Sequence, residues 1–189
     1  MAGRARRRLR VALDVDDTVA DISRVVLRKV NRELGTDYVF ESIWGTWNSD
    51  KVLWDTYARF YEELWTKKHK TIRLFVDKRL LRQLARHYDI SFVSARGWSR
   101  ASAQGLADWL KHHKLENIPV EITNTSDDKA RLGYDVYIDD YHVKVKGKRM
   151  LLLIDYGHNR HIRESRNVTR VRGVNDAIRL LIKRAGNGY

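Results

Sequence analysis

Short apolar segments of strand length alternate along this chain with longer segments in which apolar residues recur at helical spacing. The segment Met150–Ile154 is entirely apolar, and residues 11–13 are apolar as well. A strand that is apolar along its whole length is typical of a parallel sheet with both faces covered. Alternating strands and helices predict an α/β fold in which helices flank a parallel sheet. The predicted strands are residues 9–15, 90–93, 120–123, 134–138, 150–154 and 168–171.

The alternation is interrupted between residues 19 and 88, where the sequence has helical periods and no convincing strand. Apolar residues recur at helical spacing from Val19 to Leu34, and Gly35 ends that helix. Further helices are predicted within residues 50–65 and around residues 80–85. We therefore expect a small α-helical cap, inserted after the first strand, at residues 19–88. The α/β core then comprises residues 1–18 and 89–189.

Composition limits the chemistry and the partners of the chain. Its 189 residues include no cysteine, which excludes disulfides, zinc–thiolate sites and cysteine nucleophiles. The formal net charge of +13 favours anionic substrates and makes nucleic acid a possible partner, although a generally basic solvated surface explains the charge equally well. No apolar run approaches the roughly 20 residues that span a bilayer. We expect a cytoplasmic protein with no membrane contact, and the sequence does not indicate an oligomeric state.

Two groups of aspartates follow predicted strands. Asp14, Asp16 and Asp17 come after the first strand, and Asp139 and Asp140 follow the strand that ends at residue 138. Sites in open parallel sheets gather at the carboxyl ends of strands. Carboxylates brought together there repel one another unless a cation joins them, and oxygen ligands select a hard ion such as Mg²⁺. Each group alone is equally compatible with a solvated turn.

The residues between these groups can bind phosphate. Ser94, Ala95 and Arg96 lie at a strand-to-helix junction, where a hydroxyl, backbone amides and a helix N-terminus can hold phosphate oxygens. Lys129, ten positions before Asp139, can neutralise charge between a nucleophile and a phosphate. Taken singly, Ser94 is also compatible with a turn and Lys129 with one solvated lysine among many. Their order along the chain favours a phosphate site.

Together these segments resemble the four motifs of the haloacid dehalogenase (HAD) superfamily. The motifs are LDVDDT at residues 13–18, FVSAR at residues 92–96, Lys129, and YIDD at residues 137–140. The segments VNRELG at residues 30–35 and LLLIDYGHNR at residues 151–160 resemble the 5′(3′)-deoxyribonucleotidase branch. The resemblance covers nearly the whole chain after Arg8 and implies a Rossmann-like core.

The resemblance also implies a role for each motif residue. Asp14 would attack phosphorus and become an aspartyl-phosphate, while Asp16 would act as general acid and then as general base. Ser94, Ala95, Arg96 and Lys129 would bind the phosphoryl group. Mg²⁺ would be held by the side chains of Asp14 and Asp139 and by the main-chain carbonyl of Asp16. Asp140 would act through a bound water molecule or by contacting these ligands.

Three segments depart from that branch, and they bear on the substrate. Asp17 stands where the branch usually has glycine, Gly157-His158 replaces an expected proline, and residues 74–78 replace a segment rich in proline and glycine. Trp44 and Trp47 in a cap loop are candidates for stacking a nucleobase, and Asn159 and Arg160 for binding substrate. The helical series Trp54, Tyr57, Tyr61 and Trp65 is expected to be mainly cap core.

These features predict a Mg²⁺-dependent 5′(3′)-nucleotidase that acts on deoxynucleoside monophosphates or other nucleoside monophosphates. One alternative is a phosphatase for the 3′ or 5′ ends of nucleic acid, which the basic charge favours. A second is a non-catalytic nucleic-acid-binding protein with this fold. The paired Asp14 and Asp16 argue against that second alternative, because a binding module needs no general acid beside a nucleophile.

Overall fold

The computed structural model describes residues 7–43, 46 and 49–186 of the chain. Six parallel strands form one sheet in the order β3-β2-β1-β4-β5-β6, so β1 lies in the middle between β2 and β4. The strands are β1 (Arg10–Asp14), β2 (Asp89–Ala95), β3 (Val120–Thr123), β4 (Val136–Asp139), β5 (Met150–Ile154) and β6 (Val168–Val171). The predicted α/β parallel sheet is confirmed, and Val168–Val171 lies at its edge.

Six α-helices and three 3₁₀ turns complete the described part of the chain. The helices are α1 (Ser23–Leu34), α2 (Phe40–Ile43), α3 (Lys51–Lys67), α4 (Lys78–His87), α5 (Arg100–His112) and α6 (Val174–Gly186). The 3₁₀ turns are His69–Thr71, Asp127–Leu132 and Gly157–Asn159. No helix within these described residues is long and apolar enough to cross a membrane.

Alternate residues of the central strands are buried on opposite faces of the sheet. Leu13 and Ile138 belong to the larger apolar cluster, into which the helices pack. Ala12 and Tyr137 belong to a smaller cluster on the other face, which residues of the 3₁₀ turn Asp127–Leu132 help to complete. Burial on both faces explains why these strands lack the alternation of polar and apolar residues seen in half-exposed strands.

The first helix begins four residues later than its apolar period suggests. Val19 is fully buried but lies in a tight turn, where the amides of Val19 and Ala20 both donate to the carbonyl of Val15. Asp17 in this turn has φ 56°, and its carboxylate accepts the amide of Ser23 at 2.9 Å. The Asp17 carboxylate therefore caps α1 by accepting its first amide. The apolar periodicity of the sequence does not show this contact, because it depends on how the loop between the two residues folds.

The region between β1 and β2 packs in two parts. Helices α1 and α3 pack against each other, and α3 packs against α5. Gly105 makes that second contact possible, because a Cβ there would lie 2.1 Å from the carbonyl oxygen of Trp65. Helix α4 instead packs on α6 and β2. The cap boundary at residue 88 stays a prediction, and this packing favours a boundary before α4.

Most of the aromatic series on α3 is buried as predicted. Trp65 is fully buried, and its ring meets that of Trp109 edge-to-face at 5.9 Å. Trp54 and Tyr57 are buried as well, whereas Tyr61 is only partly buried. The three buried members of the series therefore belong to the larger apolar cluster, whereas Tyr61 keeps part of its surface exposed.

Candidate active site

Three carboxylates meet where β1 and β4 end side by side. Leu13 pairs with Ile138 in the sheet, so Asp14 and Asp139 leave the same edge at adjacent positions. One oxygen from each of Asp14, Asp139 and Asp140 lies within 4.8 Å of the others, and all three residues are buried. The donors are hard oxygens, which fits Mg²⁺ better than a softer metal. The structure thus brings together the aspartates predicted as metal ligands through their side chains.

Lys129 joins two of these carboxylates. Its ammonium donates to Asp14 at 2.6 Å and to Asp139 at 2.7 Å, and its side chain is 3% exposed. Burial alone would lower the pKa of Lys129, but the charges of Asp139 and Asp14 outweigh burial and raise it. The lysine is therefore a fixed cation beside Asp14. The hydroxyl of Tyr137 supports it by donating to the Lys129 carbonyl at 3.0 Å.

Burial still disfavours ionisation of Asp14 and Asp140, although Lys129 lies close by. Burial raises the pKa of Asp14 to about 7 against the opposing effect of Lys129, and Asp139 and Asp16 raise it further. Burial and the charges of Asp14 and Asp139 also hold the pKa of Asp140 well above its usual range. A second cation, in addition to Lys129, would lower the cost of ionising these buried acids.

Ser94 and Asp16 are joined through Arg96. The Arg96 guanidinium is fully buried and lies over the Trp65 ring at 4.1 Å. It donates from Nε to Ser94 Oγ at 2.8 Å and from an Nη atom to Asp16 Oδ2 at 2.8 Å. Direct phosphate contact by Ser94, Ala95 and Arg96 stays a prediction, and the Arg96 side chain is already engaged with these protein groups.

The cap also holds Asp16. Tyr61, on α3, donates its hydroxyl to Asp16 Oδ2 at 3.0 Å. The same oxygen, Oδ2, also accepts the hydrogen bond from Arg96. Oδ1 has no hydrogen-bond partner in the described part of the chain. Asp16 is thus held through one oxygen, while its other oxygen is buried without a partner among the described residues.

Asp17 links the first motif to the cap in a way that the sequence did not reveal. Its carboxylate accepts from the amides of Ile22 and Ser23 and from the Ser23 hydroxyl, which lies 2.6 Å from the Tyr57 hydroxyl. Burial raises the pKa of Asp17 to about 7, although the hydrogen bonds from Ser23 oppose this shift. The only sequence signal was the departure from glycine at this position.

A cavity of about 590 Å³ opens over these groups. Asp14, Asp16 and Lys129 contribute to its wall, and so does Ala95. Two aromatic residues that the sequence analysis did not select, Trp98 and Tyr141, line the same cavity. The volume lies within the range of roughly 300–1,000 Å³ that is usual for small-molecule sites.

The predicted substrate-binding residues are placed differently. Asn159 is buried, and its amide donates to the carbonyls of Asp140 and Ile154, so it positions the loop after β4. Arg160 is exposed and does not belong to the cavity wall. Substrate contact by either residue stays a prediction. Trp44 and Trp47 lie outside the described residues.

His158, which the sequence analysis named only for replacing an expected proline, lies at the cavity. Its Nε2 is 3.1 Å from the carbonyl oxygen of Asp140, and its ring stacks on Tyr156 at 5.8 Å between centroids. Burial lowers the pKa of His158. Burial therefore disfavours a positive charge on this imidazole.

Solved structures with the same fold are HAD-like hydrolases and related proteins. A haloacid dehalogenase-like hydrolase from Streptococcus pneumoniae is 17% identical with a TM-score of 0.55, covering 80% of this chain and 86% of its own. CbbY from Rhodobacter sphaeroides, solved with phosphate, is 14% identical with a TM-score of 0.54, covering 89% and 95%. YfnB from Bacillus subtilis, a HAD hydrolase bound to magnesium, is 13% identical with a TM-score of 0.53, covering 93% and 99%.

These low identities show the fold alone, and no curated protein matches the chain. A family model matches nearly the whole sequence, from residue 7 to residue 185. That family is described as 5′ nucleotidase, deoxy (pyrimidine), cytosolic type C protein. The match, together with the fold and the converging aspartates, identifies a HAD superfamily phosphatase. The chain belongs to the cytosolic type C deoxy(pyrimidine) 5′-nucleotidase family.

Proposed function

We propose that this protein is a Mg²⁺-dependent 5′(3′)-nucleotidase that hydrolyses deoxynucleoside monophosphates or other nucleoside monophosphates through a phosphorylated Asp14. The contact of Asp14 with Lys129 at 2.6 Å, in the wall of a cavity that also contains Asp16, carries the proposal. A carboxylate nucleophile, a fixed cation and an acid/base group thus line one small-molecule cavity. The family match supports a nucleotide as the phosphomonoester.

Asp14, Asp139 and Asp140 fit a divalent cation by their oxygen donors and by the spacing of those donors within 4.8 Å. The main-chain carbonyl of Asp16 is a further candidate ligand. When bound, Mg²⁺ would supply charge neutralisation at the transferred phosphoryl group and a template that orients it. The raised pKa values of Asp14 and Asp140 support this assignment, because burial and the neighbouring aspartates both oppose ionisation and a bound cation would offset that cost.

The protein groups supply nucleophilic attack and proton transfer. An Asp14 oxygen attacks phosphorus, the bond from phosphorus to the leaving oxygen breaks, and Asp16 donates a proton to that oxygen. A water molecule then attacks the phosphorylated aspartate and gives its proton to Asp16. The bond from phosphorus to the Asp14 oxygen breaks, which releases inorganic phosphate and restores both residues. Lys129 and Ser94 would hold the phosphoryl oxygens in both steps.

A mononucleotide matches the size of the cavity better than a polymer does. A volume of about 590 Å³ accommodates a nucleoside monophosphate as a whole ligand. Substrate contacts by Trp44, Trp47, Asn159 and Arg160 are part of this proposal as well. The description of the family as cytosolic supports a cytoplasmic location.

One observation favours a second candidate, a phosphatase for nucleic-acid ends. The formal net charge of +13 would attract a polyanion over the whole surface of the protein. A polyanion that displaces several counterions binds with a steep dependence on salt, whereas a mononucleotide does not.

A substrate screen separates these candidates. Nucleoside monophosphates and oligonucleotides with 3′ or 5′ phosphates would be compared at two salt concentrations, with and without Mg²⁺. The nucleotidase proposal predicts higher kcat/KM for mononucleotides, weak salt dependence and loss of turnover without Mg²⁺. Preference for oligonucleotides with a steep loss of kcat/KM at high salt would replace it with the second candidate.

A further inference from the structure

Two exposed aromatic side chains stand at the mouth of the active-site cavity. Within the described residues, six large apolar side chains are exposed, and Trp98 and Tyr141 are the aromatic ones among them. Trp98 is 58% exposed and Tyr141 is 44% exposed, and both line the cavity that contains Asp14. Exposed aromatic surface beside a polar cavity is typical of a ligand-binding site.

The main chain holds Trp98 firmly although its ring is exposed. The amide of Gly97 donates to the Thr123 carbonyl at 2.9 Å, and the amide of Ser99 donates to the Arg96 carbonyl at 3.0 Å. Ser99 also caps α5 by accepting the amide of Ser102. The turn between β2 and α5 is thus fixed on both sides of Trp98, so little main-chain freedom is lost when a ligand binds to the ring.

The ring of Trp98 lies on the side of the cavity where Asp16 is held. It contacts the Tyr61 ring at 5.8 Å between centroids with an interplanar angle of 38°, and Tyr61 donates its hydroxyl to Asp16. Asp16, as the proposed acid, must approach the oxygen that leaves with the alcohol product. The leaving group therefore lies on the side of Trp98.

Tyr141 lies on the other side of the central strand. Trp98 follows β2 and Tyr141 follows β4, and these strands flank β1. The amide of Tyr141 donates to Asp139 Oδ1 at 2.8 Å, which places its main chain beside the carboxylate cluster. Two exposed aromatics at one cavity thus differ in their relation to the leaving group.

We infer that Trp98 is a specificity-determining residue that stacks the base of the leaving nucleoside, an inference that rests on the proposed nucleotidase function. The rigid turn presents the ring, and the contact with Tyr61 places it beside the acid that protonates the leaving oxygen. Stacking tolerates any base, so the subsite selects nucleotides over sugar phosphates without selecting one base. The loss of one stacked base corresponds to a change of roughly 5- to 150-fold in affinity.

The first test compares two substrates that differ only in the base. A deoxynucleoside 5′-monophosphate and 2-deoxyribose 5-phosphate would be assayed with the wild type, Trp98→Ala, Trp98→Phe and Tyr141→Ala. Trp98→Ala should lower kcat/KM for the nucleotide by roughly 5- to 150-fold, mainly through KM, and leave the sugar phosphate unchanged. Trp98→Phe should retain most of the preference, and Tyr141→Ala should leave it intact. Equal losses on both substrates in Trp98→Ala, or a loss of preference in Tyr141→Ala as large as that in Trp98→Ala, would overturn the inference.

A binding measurement separates this inference from the nucleotidase proposal. Calorimetric titration of Asp14→Asn with each ligand avoids hydrolysis. Asp14→Asn should bind the nucleotide more tightly than 2-deoxyribose 5-phosphate, and Asp14→Asn/Trp98→Ala should lose that difference in affinity. This result supports the stacking subsite even if the wild type hydrolyses neither compound and the nucleotidase proposal fails. Equal affinity of Asp14→Asn for the two ligands overturns the subsite even if the wild type is an active nucleotidase.

Discussion

Replacement of Lys129 by methionine should destabilise the protein severely in the absence of a divalent cation. The ammonium is 3% exposed and lies 2.6 Å from Asp14 and 2.7 Å from Asp139, which are themselves 6% and 2% exposed. Removing one member of a buried ion pair leaves a buried charge without its partner, at a cost of about 3–5 kcal/mol. For a domain of this size, that cost corresponds to a fall in Tm of roughly 6–20 °C.

The loss should depend on pH in a defined direction. The pKa of Asp14 is already raised to about 7 in the folded protein, against an ordinary value of 3.8. An acid whose folded pKa is raised contributes stability at low pH and loses that contribution as pH rises through the folded pKa. Lys129 contributes fully throughout this range, because its own folded pKa is also raised. Without Lys129 the pKa of Asp14 rises further, so stability should continue to fall with pH above about 7, where the contribution of Asp14 levels off in the wild type.

Thermal unfolding in EDTA and in Mg²⁺ measures both effects. Mg²⁺ should raise the Tm of Lys129→Met by more than it raises that of the wild type, since it replaces the missing positive charge. Lys51→Met is a matched control, because Lys51 is 85% exposed in its pair with Asp55, and an exposed pair contributes at most about 1 kcal/mol. A loss for Lys129→Met as small as that of Lys51→Met at pH 8 in EDTA would refute the reasoning.

Three further substitutions test other parts of the account. Asp16→Asn should reduce kcat by roughly 10²- to 10⁴-fold in a steady-state assay, and wild-type turnover would reject its acid/base role. Asp17→Ala should lower the free energy of unfolding in urea by about 1–2 kcal/mol, because α1 loses its cap. Asp17→Asn should lower it less, because asparagine keeps an acceptor and tolerates the positive φ. Equal losses of stability in the two variants would contradict the capping role. Gly105→Ala should destabilise by about 1–3 kcal/mol in the same assay because its Cβ meets the Trp65 carbonyl, and a gain in stability would show that α3 and α5 are not in close contact.

Much of the fold could be predicted because short apolar segments of strand length alternate along the chain with segments of helical spacing. The strands Val120–Thr123, Met150–Ile154 and Val168–Val171 have the predicted bounds. The meeting of Asp14 and Asp139 also follows from sequence, since both end strands of one parallel sheet. Strand order was not predicted, and neither was the packing of α4 on α6, because both depend on contacts between distant segments.

The side chains around the catalytic residues were harder to predict. Arg96 was selected for phosphate binding by its place in the second motif, but its guanidinium is buried between Ser94, Asp16 and the Trp65 ring. Trp98 carries no periodic signal, because its exposure depends on the turn after β2 and on the position of the cap. Such contacts join core and cap residues far apart in the chain, and spacing along the sequence does not show them.

The state of Asp14 during turnover tests the central claim most directly. Turnover of a deoxynucleoside monophosphate would be stopped with acid. The protein would then be digested, and its peptides would be analysed by mass spectrometry. The account predicts a phosphoryl group on Asp14 in the wild type, none in Asp14→Asn, and no turnover by that variant while its fold is retained. A phosphoryl group on another side chain, or Mg²⁺-dependent turnover of an aryl phosphate by Asp14→Asn at the wild-type rate, would contradict it.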